Sequence, residues 1–474
     1  MFQYDVRFPR DCWIDLRVYR FLMKSSSSFK PIPGSVTAPQ GFRAAGVFCD
    51  IKRLGTGKGS NKGNKRDLAL IVSDVPAAVA GMFTTNQVCA APVKLIVPRA
   101  LKAAAQAIVV NSGNANACTG PQGLLDAQAM TSLVAQRLNL RAEDVLVGST
   151  GRIGVAMPMM NVKRGILAAA DLLEATAESA HQVAEAIMTS DTRPKEIAIQ
   201  FQLGGKTVRM GGLCKGAGMI QPGMSPTSAR PASTPLHATM LCFITTDAAI
   251  ESKPLKAALL QAVTKSFNCI TVDGDMSTND TVIVLANGQA GNPMITASGT
   301  GTFASRRLRD WNVFQAALDH VTLELAKMIV RDGEGVSRFI TVKVSGARSF
   351  ADADAAARAV ANSTLVKTSW YGGDPNWGRI LDALGYSSAK VVEEKIDVAY
   401  SAPGSKKLLY SLKKGKPTMI SFRTLCAAVA PKEFDLHIHL NLGEASAVIY
   451  TADLTEEYVD FNKGDVSDPA SQGG

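Results

Sequence analysis

LHATMLCFITTD, residues 236–247, is the stretch on which the reading of the whole chain turns. As a strand it is a run of apolar and β-branched residues in which Thr239 is one half-buried side chain among several. As the start of a second chain it sets a threonine hydroxyl beside a free α-amino group, an arrangement that turns a poor nucleophile into a reactive one. These twelve residues leave both readings open.

The rest of the chain narrows the choice. Its 474 residues are 46% hydrophobic and 19% charged, which excludes a disordered or fibrous protein and allows one large core or two or three units. No run of about 18 apolar residues is present to span a membrane. The eight cysteines (12, 49, 89, 118, 214, 242, 269, 426) are scattered singly without CxxC spacing. Such a pattern argues against structural zinc and a disulfide framework and for buried thiols in a reducing cytoplasm.

The net charge of +10 raises the question of nucleic acid. Residues 1–33 hold six Lys/Arg against three Asp/Glu, and KRLGTGKGSNKGNKRD (52–67) supplies a second basic run. That run precedes LALIVSD and reads as a solvated hairpin loop. Its glycine spacing is wrong for a P-loop, and Lys58 is followed by Gly59, where Ser or Thr would be needed. Residues 1–33 lack the apolar core of a signal peptide and are expected to be an extension outside the fold.

From about residue 34, strand-like runs (LALIVSD, AAVAGMFTT, AIVVNSG, DVLVGST) alternate with helix-like ones (LLDAQAMTSLVAQRL, NVKRGILAAADLL, ESAHQVAEAIMTSD). EIAIQFQLGGKTVRMGG reads as a hairpin turning at Gly204-Gly205. Beyond Thr239, strands such as DTVIVLANG, FITVKVSG and ASAVIYTAD again mix with helices. The alternation predicts α/β layering. VNSGNANACTG (110–120) and GSTGRIG (148–154) each follow a strand, and their glycines suit either tight turns or backbone that approaches something closely.

STGRIG, KGAGMI, HATML, VDGDMSTNDT, DGEG, WYGGDPNWGRI and DLTEEYVDFN occur in the order and spacing of the ornithine acetyltransferase family, the glutamate N-acetyltransferases of arginine biosynthesis. The resemblance runs from GSVTAPQGFRAAGV (34–47) to Ser467. It implies a layered N-terminal-nucleophile-like α/β fold, with a catalytic unit over 34–335 and a smaller C-terminal α/β unit over 336–474. It also implies self-cleavage of the Ala238-Thr239 bond into chains 1–238 (alpha) and 239–474 (beta), assembled as two of each.

By the same resemblance Thr239 is the nucleophile, and Thr150 and Gly151 form the oxyanion hole. Thr150, Lys215, Thr239, Glu334, Asn462 and Ser467 contact substrate. A lysine can pair a carboxylate and a glutamate can meet an ornithine amine. The implied reaction moves an acetyl group from N2-acetyl-L-ornithine to Thr239 and then to L-glutamate. Some relatives also take it from acetyl-CoA. No metal or organic cofactor is implied.

Two departures from the family pattern stand out. QPGMSPTSARPASTPLH places a Pro/Ser-rich insertion over 223–236, before Ala238, and DPASQGG continues the chain past Ser467. A related fold serves serine-nucleophile aminopeptidases, which leaves a hydrolase as the alternative. A basic nucleic-acid binder and an uncleaved scaffold are the other rivals.

Overall fold

The computed structural model describes residues 29–52, 65–229, 240–296 and 304–463. Ala238, Thr239, Ser467, most of the basic run 52–67 and the second half of the insertion lie outside the described residues.

Ten strands form the first sheet: β1 (Lys30–Pro31), β2 (Phe42–Val47), β3 (Leu68–Thr84), β4 (Ala104–Asn114), β5 (Val145–Arg152), β6 (Lys195–Leu203), β7 (Lys206–Lys215), β8 (Met224–Ser225), β9 (Leu241–Thr246) and β10 (Thr281–Ala286). Their order is β1-β6-β7-β9-β10-β3-β4-β5, with β2 and β8 also paired to β3. Two neighbour pairs are parallel, β4 with β5 and β9 with β10. Each needs a long crossover, and the helices Gly120–Leu138 and Ser252–Lys265 supply them.

LALIVSD and AAVAGMFTT, expected as two strands, are one. The first part of β3 pairs with β2 and β4, and its second part pairs with β10. Between them the register with β4 shifts from Val72 to Ala77, where Asp74, Val75 and Pro76 are exposed. Proline has no amide to give a ladder, so the punctuation that looks like a turn is a bulge.

β9 is buried along its whole length, which is why it reads as a continuous apolar run. Its side chains alternate between two cores. Leu241 and Phe243 join β2–β5 and the helices Ala91–Ala100, Gly120–Leu138, Met159–Asp171 and Ala177–Ile187. Cys242 and Ile244 face the helices Ser252–Lys265 and Ala304–Arg331. A Cβ on Gly148 of β5 would stand 3.3 Å from the Phe243 ring, so the two parts of the sheet pack on each other there. Burying a side chain such as Phe243 contributes about 1.5–3 kcal/mol.

The second sheet holds β11 (Phe339–Ala347), β12 (Asp397–Ser401), β13 (Leu409–Lys413), β14 (Lys416–Pro417), β15 (Glu433–His439) and β16 (Ala445–Ala452), in the order β14-β13-β12-β15-β11-β16. Ile340, Val342 and Val344 turn to its core, where Trp370 and Tyr400 meet the edges of Phe434. WYGGDPNWGRI links two helices here, Thr364–Tyr371 and Trp377–Tyr386. Asn376 caps the second by accepting from the Arg379 amide at 3.1 Å. Its glycines and asparagine thus serve helix ends.

The expected start of the fold at residue 34 is corrected. Lys30 and Pro31 pair with Gln200 and Ile199 of β6, and Phe29 packs edge-on against Phe201 at 5.9 Å. β6 would otherwise be an open edge, and an unpaired strand edge is a liability that a short covering strand removes. Among the described residues no helix is long and apolar enough to cross a membrane.

Candidate active site

The paired strands β4 and β5 carry their parallel register through Ser112–Thr150 and Gly113–Gly151 before it slips at Asn114. NSGN and STGR are therefore paired strand ends, not free tight turns. Gly151 has φ 129°, and a Cβ there would fall 2.3 Å from the Gly113 carbonyl carbon. Only glycine fits. Amide side chains take up the backbone groups that the slip frees. Asn111 Nδ2 donates to Asn114 O at 2.8 Å, while Asn279 Nδ2 donates to Ala115 O at 2.7 Å and Ser149 O at 2.9 Å. Ser149 Oγ donates to Asn111 Oδ1 at 2.6 Å. Thr150 is buried in the middle of this web. Backbone so fixed is what stabilisation of a transient oxyanion requires.

Lys215 closes β7 opposite Leu241 of β9. Its side chain is buried, and Nζ donates to Thr189 Oγ1 at 2.6 Å and lies 3.9 Å from Asp191 Oδ2. Behind it stands a second buried lysine. Lys195 Nζ is 2.6 Å from Asp191 and 2.5 Å from Asp332, and all three side chains are 3% exposed or less. Asp191 also accepts from the amides of Gly216 at 2.7 Å and Thr189 at 3.0 Å, and Asp332 accepts from the amide and hydroxyl of Thr192.

Burial alone would raise the Asp191 carboxyl, but Lys195, Lys215 and the Gly216 amide outweigh it and hold the group well below the usual carboxylate range. Burial likewise works against the Lys195 ammonium, and its two aspartates more than restore it. For Lys215 burial wins, and its pKa falls below that of an ordinary lysine although Asp191 opposes the shift. An ammonium has three donors and Thr189 takes one, so Lys215 can still meet a carboxylate.

Glu334 reaches the same place from the loop after the helix Ala304–Arg331. Its amide donates to Ala217 O at 3.0 Å, and a Cβ on Gly218 would collide with its carboxylate at 2.5 Å. Asn462, just past the helix Glu456–Phe461, donates to Glu334 Oε2 at 3.0 Å. Thr455 caps that helix and bonds Gly335 O at 2.6 Å, which ties the C-terminal segment to the glutamate loop.

The structure thus brings Lys215, Glu334 and Asn462 together. Asn279 and Asp280 lead from there to Thr150 and Gly151: Asn279 holds Ser149, and Asp280 Oδ1 accepts the Met240 amide at 2.5 Å while sensing the charge of Lys215. Met240 is the first described residue after Thr239, which itself lies outside the described residues. Lys195 falls outside every run singled out in the sequence, and Asn111, Thr189, Asp191, Asn279, Asp280 and Asp332 stand only as letters within quoted runs. Cys214 and Cys242, neighbours across β7 and β9, are buried thiols with pKa values pushed up by burial, which makes them poor nucleophiles. Among the described residues no group of three or more His, Cys, Asp or Glu could hold a metal ion.

The model of the ArgJ family matches residues 44–464. The arginine biosynthesis bifunctional protein ArgJ of Symbiobacterium thermophilum is 45% identical over 431 residues, 91% of this chain and 98% of that one. The glutamate N-acetyltransferase of Methanocaldococcus jannaschii is 43% identical over 438 residues, again 91% and 98% of the two chains. A solved chain of the ornithine acetyltransferase of Mycobacterium tuberculosis, in complex with ornithine, is 36% identical, with a TM-score of 0.37 and coverage of 42% of this chain and 100% of that one. With the family model matched over most of its length and relatives alike from end to end, the chain belongs to the ArgJ family.

Proposed function

We propose that this protein is a glutamate N-acetyltransferase of arginine biosynthesis that cuts itself between Ala238 and Thr239 and then works by ping-pong acetyl transfer. The freed α-amino group of Thr239 takes the proton of its own hydroxyl, which attacks the acetyl carbonyl of N2-acetyl-L-ornithine. Ornithine leaves, and L-glutamate takes the acetyl group from the threonine ester.

The observation that carries this reading is the buried Lys215 ammonium gathered with Glu334 and Asn462. An α-amino acid needs a cation for its carboxylate, and the δ-amine of ornithine needs an anion. Lys215 is assigned the first and Glu334 the second, with Asn462 orienting Glu334 and Ser467 a further contact. Thr150 and Gly151 are assigned the oxyanion hole, which suits the rigid, glycine-dependent strand end they occupy. The mature protein is assigned two alpha and two beta chains, and acetyl-CoA is assigned as a second acetyl donor.

The test is product analysis. Purified protein given N-acetylornithine and glutamate should yield N-acetylglutamate and ornithine in equal amounts, with parallel double-reciprocal plots. Formation of acetate independent of glutamate would mark a hydrolase instead. Acetyl-CoA supplied in place of N-acetylornithine tests the second donor, and native mass measurement tests the assembly.

A further inference from the structure

Lys195 stands behind Lys215 and Glu334 and is tied to the backbone that carries each. It opens β6 opposite Cys214, the residue before Lys215. Its Nζ lies 2.6 Å from Asp191 Oδ1 and 2.5 Å from Asp332 Oδ2. Toward Lys215, Asp191 accepts from the amide of Gly216, the next residue, at 2.7 Å and from the amide of Thr189 at 3.0 Å. Thr189 Oγ1 in turn accepts from Lys215 Nζ at 2.6 Å. Asp191 therefore fixes both the backbone beside Lys215 and the hydroxyl that aims its ammonium.

Toward Glu334, Asp332 completes the last turn of the helix Ala304–Arg331, its amide donating to Met328 O at 3.1 Å. Glu334 follows two residues later, and the segment has little slack. The Val336 amide donates back to Gly333 O at 3.0 Å, a Cβ on Gly333 would stand 2.6 Å from the Val336 side chain, and one on Gly335 would strike the Tyr458 amide nitrogen. A shift of Asp332 thus carries Glu334 with it.

Lys195, Asp191 and Asp332 are each 3% exposed or less. Buried ions are a poor source of stability, because apolar side chains of similar volume often serve as well. What an ammonium between two carboxylates does provide is a fixed separation. We infer that Lys195 is a positioning residue that sets donor specificity: by holding Asp191 and Asp332 together it fixes the span from Lys215 to Glu334, and that span selects the length of the amine-bearing side chain. This rests on the reading that Lys215 meets the α-carboxylate and Glu334 the δ-amine.

The test compares N2-acetyl-L-ornithine with N2-acetyl-L-lysine, one methylene longer, each as acetyl donor to glutamate. Wild-type kcat/KM should favour the ornithine compound by roughly 10- to 200-fold, the usual worth of one methylene. Lys195→Met combined with Asp332→Asn removes one positive and one negative charge, so Asp191 and Lys215 remain a balanced pair while the tie is lost. In this variant the preference should fall by about tenfold or more, with most of the loss on the ornithine compound. Damage to folding lowers both rates alike and leaves their ratio unchanged. A ratio that stays at the wild-type value, or a wild type indifferent to the extra methylene, would overturn the assignment.

If the double variant does not accumulate folded, Asp332→Asn alone carries the test, since Lys195 keeps Asp191 and the amide oxygen can still accept from Thr192. Its preference should fall by roughly threefold or more, and an unchanged preference rejects the tie. Glu334→Gln separates the two inferences. If it leaves the preference unchanged, Glu334 does not meet the amine and the underlying reading fails. If it abolishes the preference while the Lys195 and Asp332 changes preserve it, the role of Lys195 alone is rejected.

Discussion

The strand end at Thr150–Gly151 and the pocket at Lys215 are joined through Asn279 and Asp280, yet they are built from opposite materials. The first is neutral. Glycines at φ 101° and 129° let two strand ends close on each other, and asparagine amides and a serine hydroxyl fill the gaps. The second consists of full charges, with Lys195 between Asp191 and Asp332 and Lys215 in front of Asp191. Developing charge on a substrate oxygen needs donors fixed in place, and a threonine hydroxyl beside a glycine amide can supply them without desolvating an ion. A cation kept in a dry site needs counter-charges behind it, and these must themselves be paired.

Changes to each region should break this contrast by different amounts. The largest effect belongs to Thr239, the proposed nucleophile. Thr239→Ala should leave one uncut chain on a denaturing gel and no transfer, whereas Thr239→Ser should retain some of each because it keeps the hydroxyl and, once cut, the amine.

Next comes the ionic network. Asp191→Asn leaves Lys195 and Lys215 without their shared partner and should cost about 3–5 kcal/mol in denaturant unfolding of the uncleavable chain. The sign follows from the depressed pKa of Asp191. Its stabilisation is fully present above the ordinary aspartate pKa and disappears only as pH falls through its lower folded value, so wild type and variant should converge in strong acid.

Thr150→Ala should slow transfer by about 100- to 1000-fold, the usual loss for one oxyanion donor, with unfolding little changed. Unaltered turnover in the cleaved variant would remove Thr150 from the site. Lys215→Met should raise KM for N-acetylornithine by roughly 10- to 100-fold, the size of one charge-assisted hydrogen bond. The wild-type KM should climb with alkalinity sooner than an ordinary lysine would allow, since burial lowers the Lys215 pKa, and the variant should lack that limb.

The smallest effect belongs to the second sheet. A cavity of about 280 Å³ lined by Ser345, Asp397, Tyr410, His437 and His439 lies there, on a different sheet from Lys215 and Thr150. His437→Ala should leave transfer kinetics unchanged; a large loss would mean the chemistry extends beyond the first sheet.

What could be read from the sequence follows the same divide. Forced glycine conformations are local, so STGRIG, KGAGMI and DGEG could be picked out as letters. Layering was legible because strand and helix periodicities alternate, and β9 was legible as a buried run. The ionic network was not: Lys195 and Asp332 are 137 residues apart, and Asp191 and Lys195 in SDTRPKE look like solvated charges. Nor were the bulge in β3 and the pairing of Lys30–Pro31 with β6, because each depends on which distant strand lies alongside. WYGGDPNWGRI shows the converse, with glycines and asparagine that serve helix ends in the second sheet's core.

The central claim is that Thr239 carries the acetyl group between substrates. Protein incubated with N-acetylornithine and no glutamate, then digested and measured by mass spectrometry, should show one added acetyl on the peptide that begins at Thr239. The label should disappear when glutamate is supplied, with N-acetylglutamate released. Acetyl on another residue, or transfer that persists in Thr239→Ala, would contradict the account.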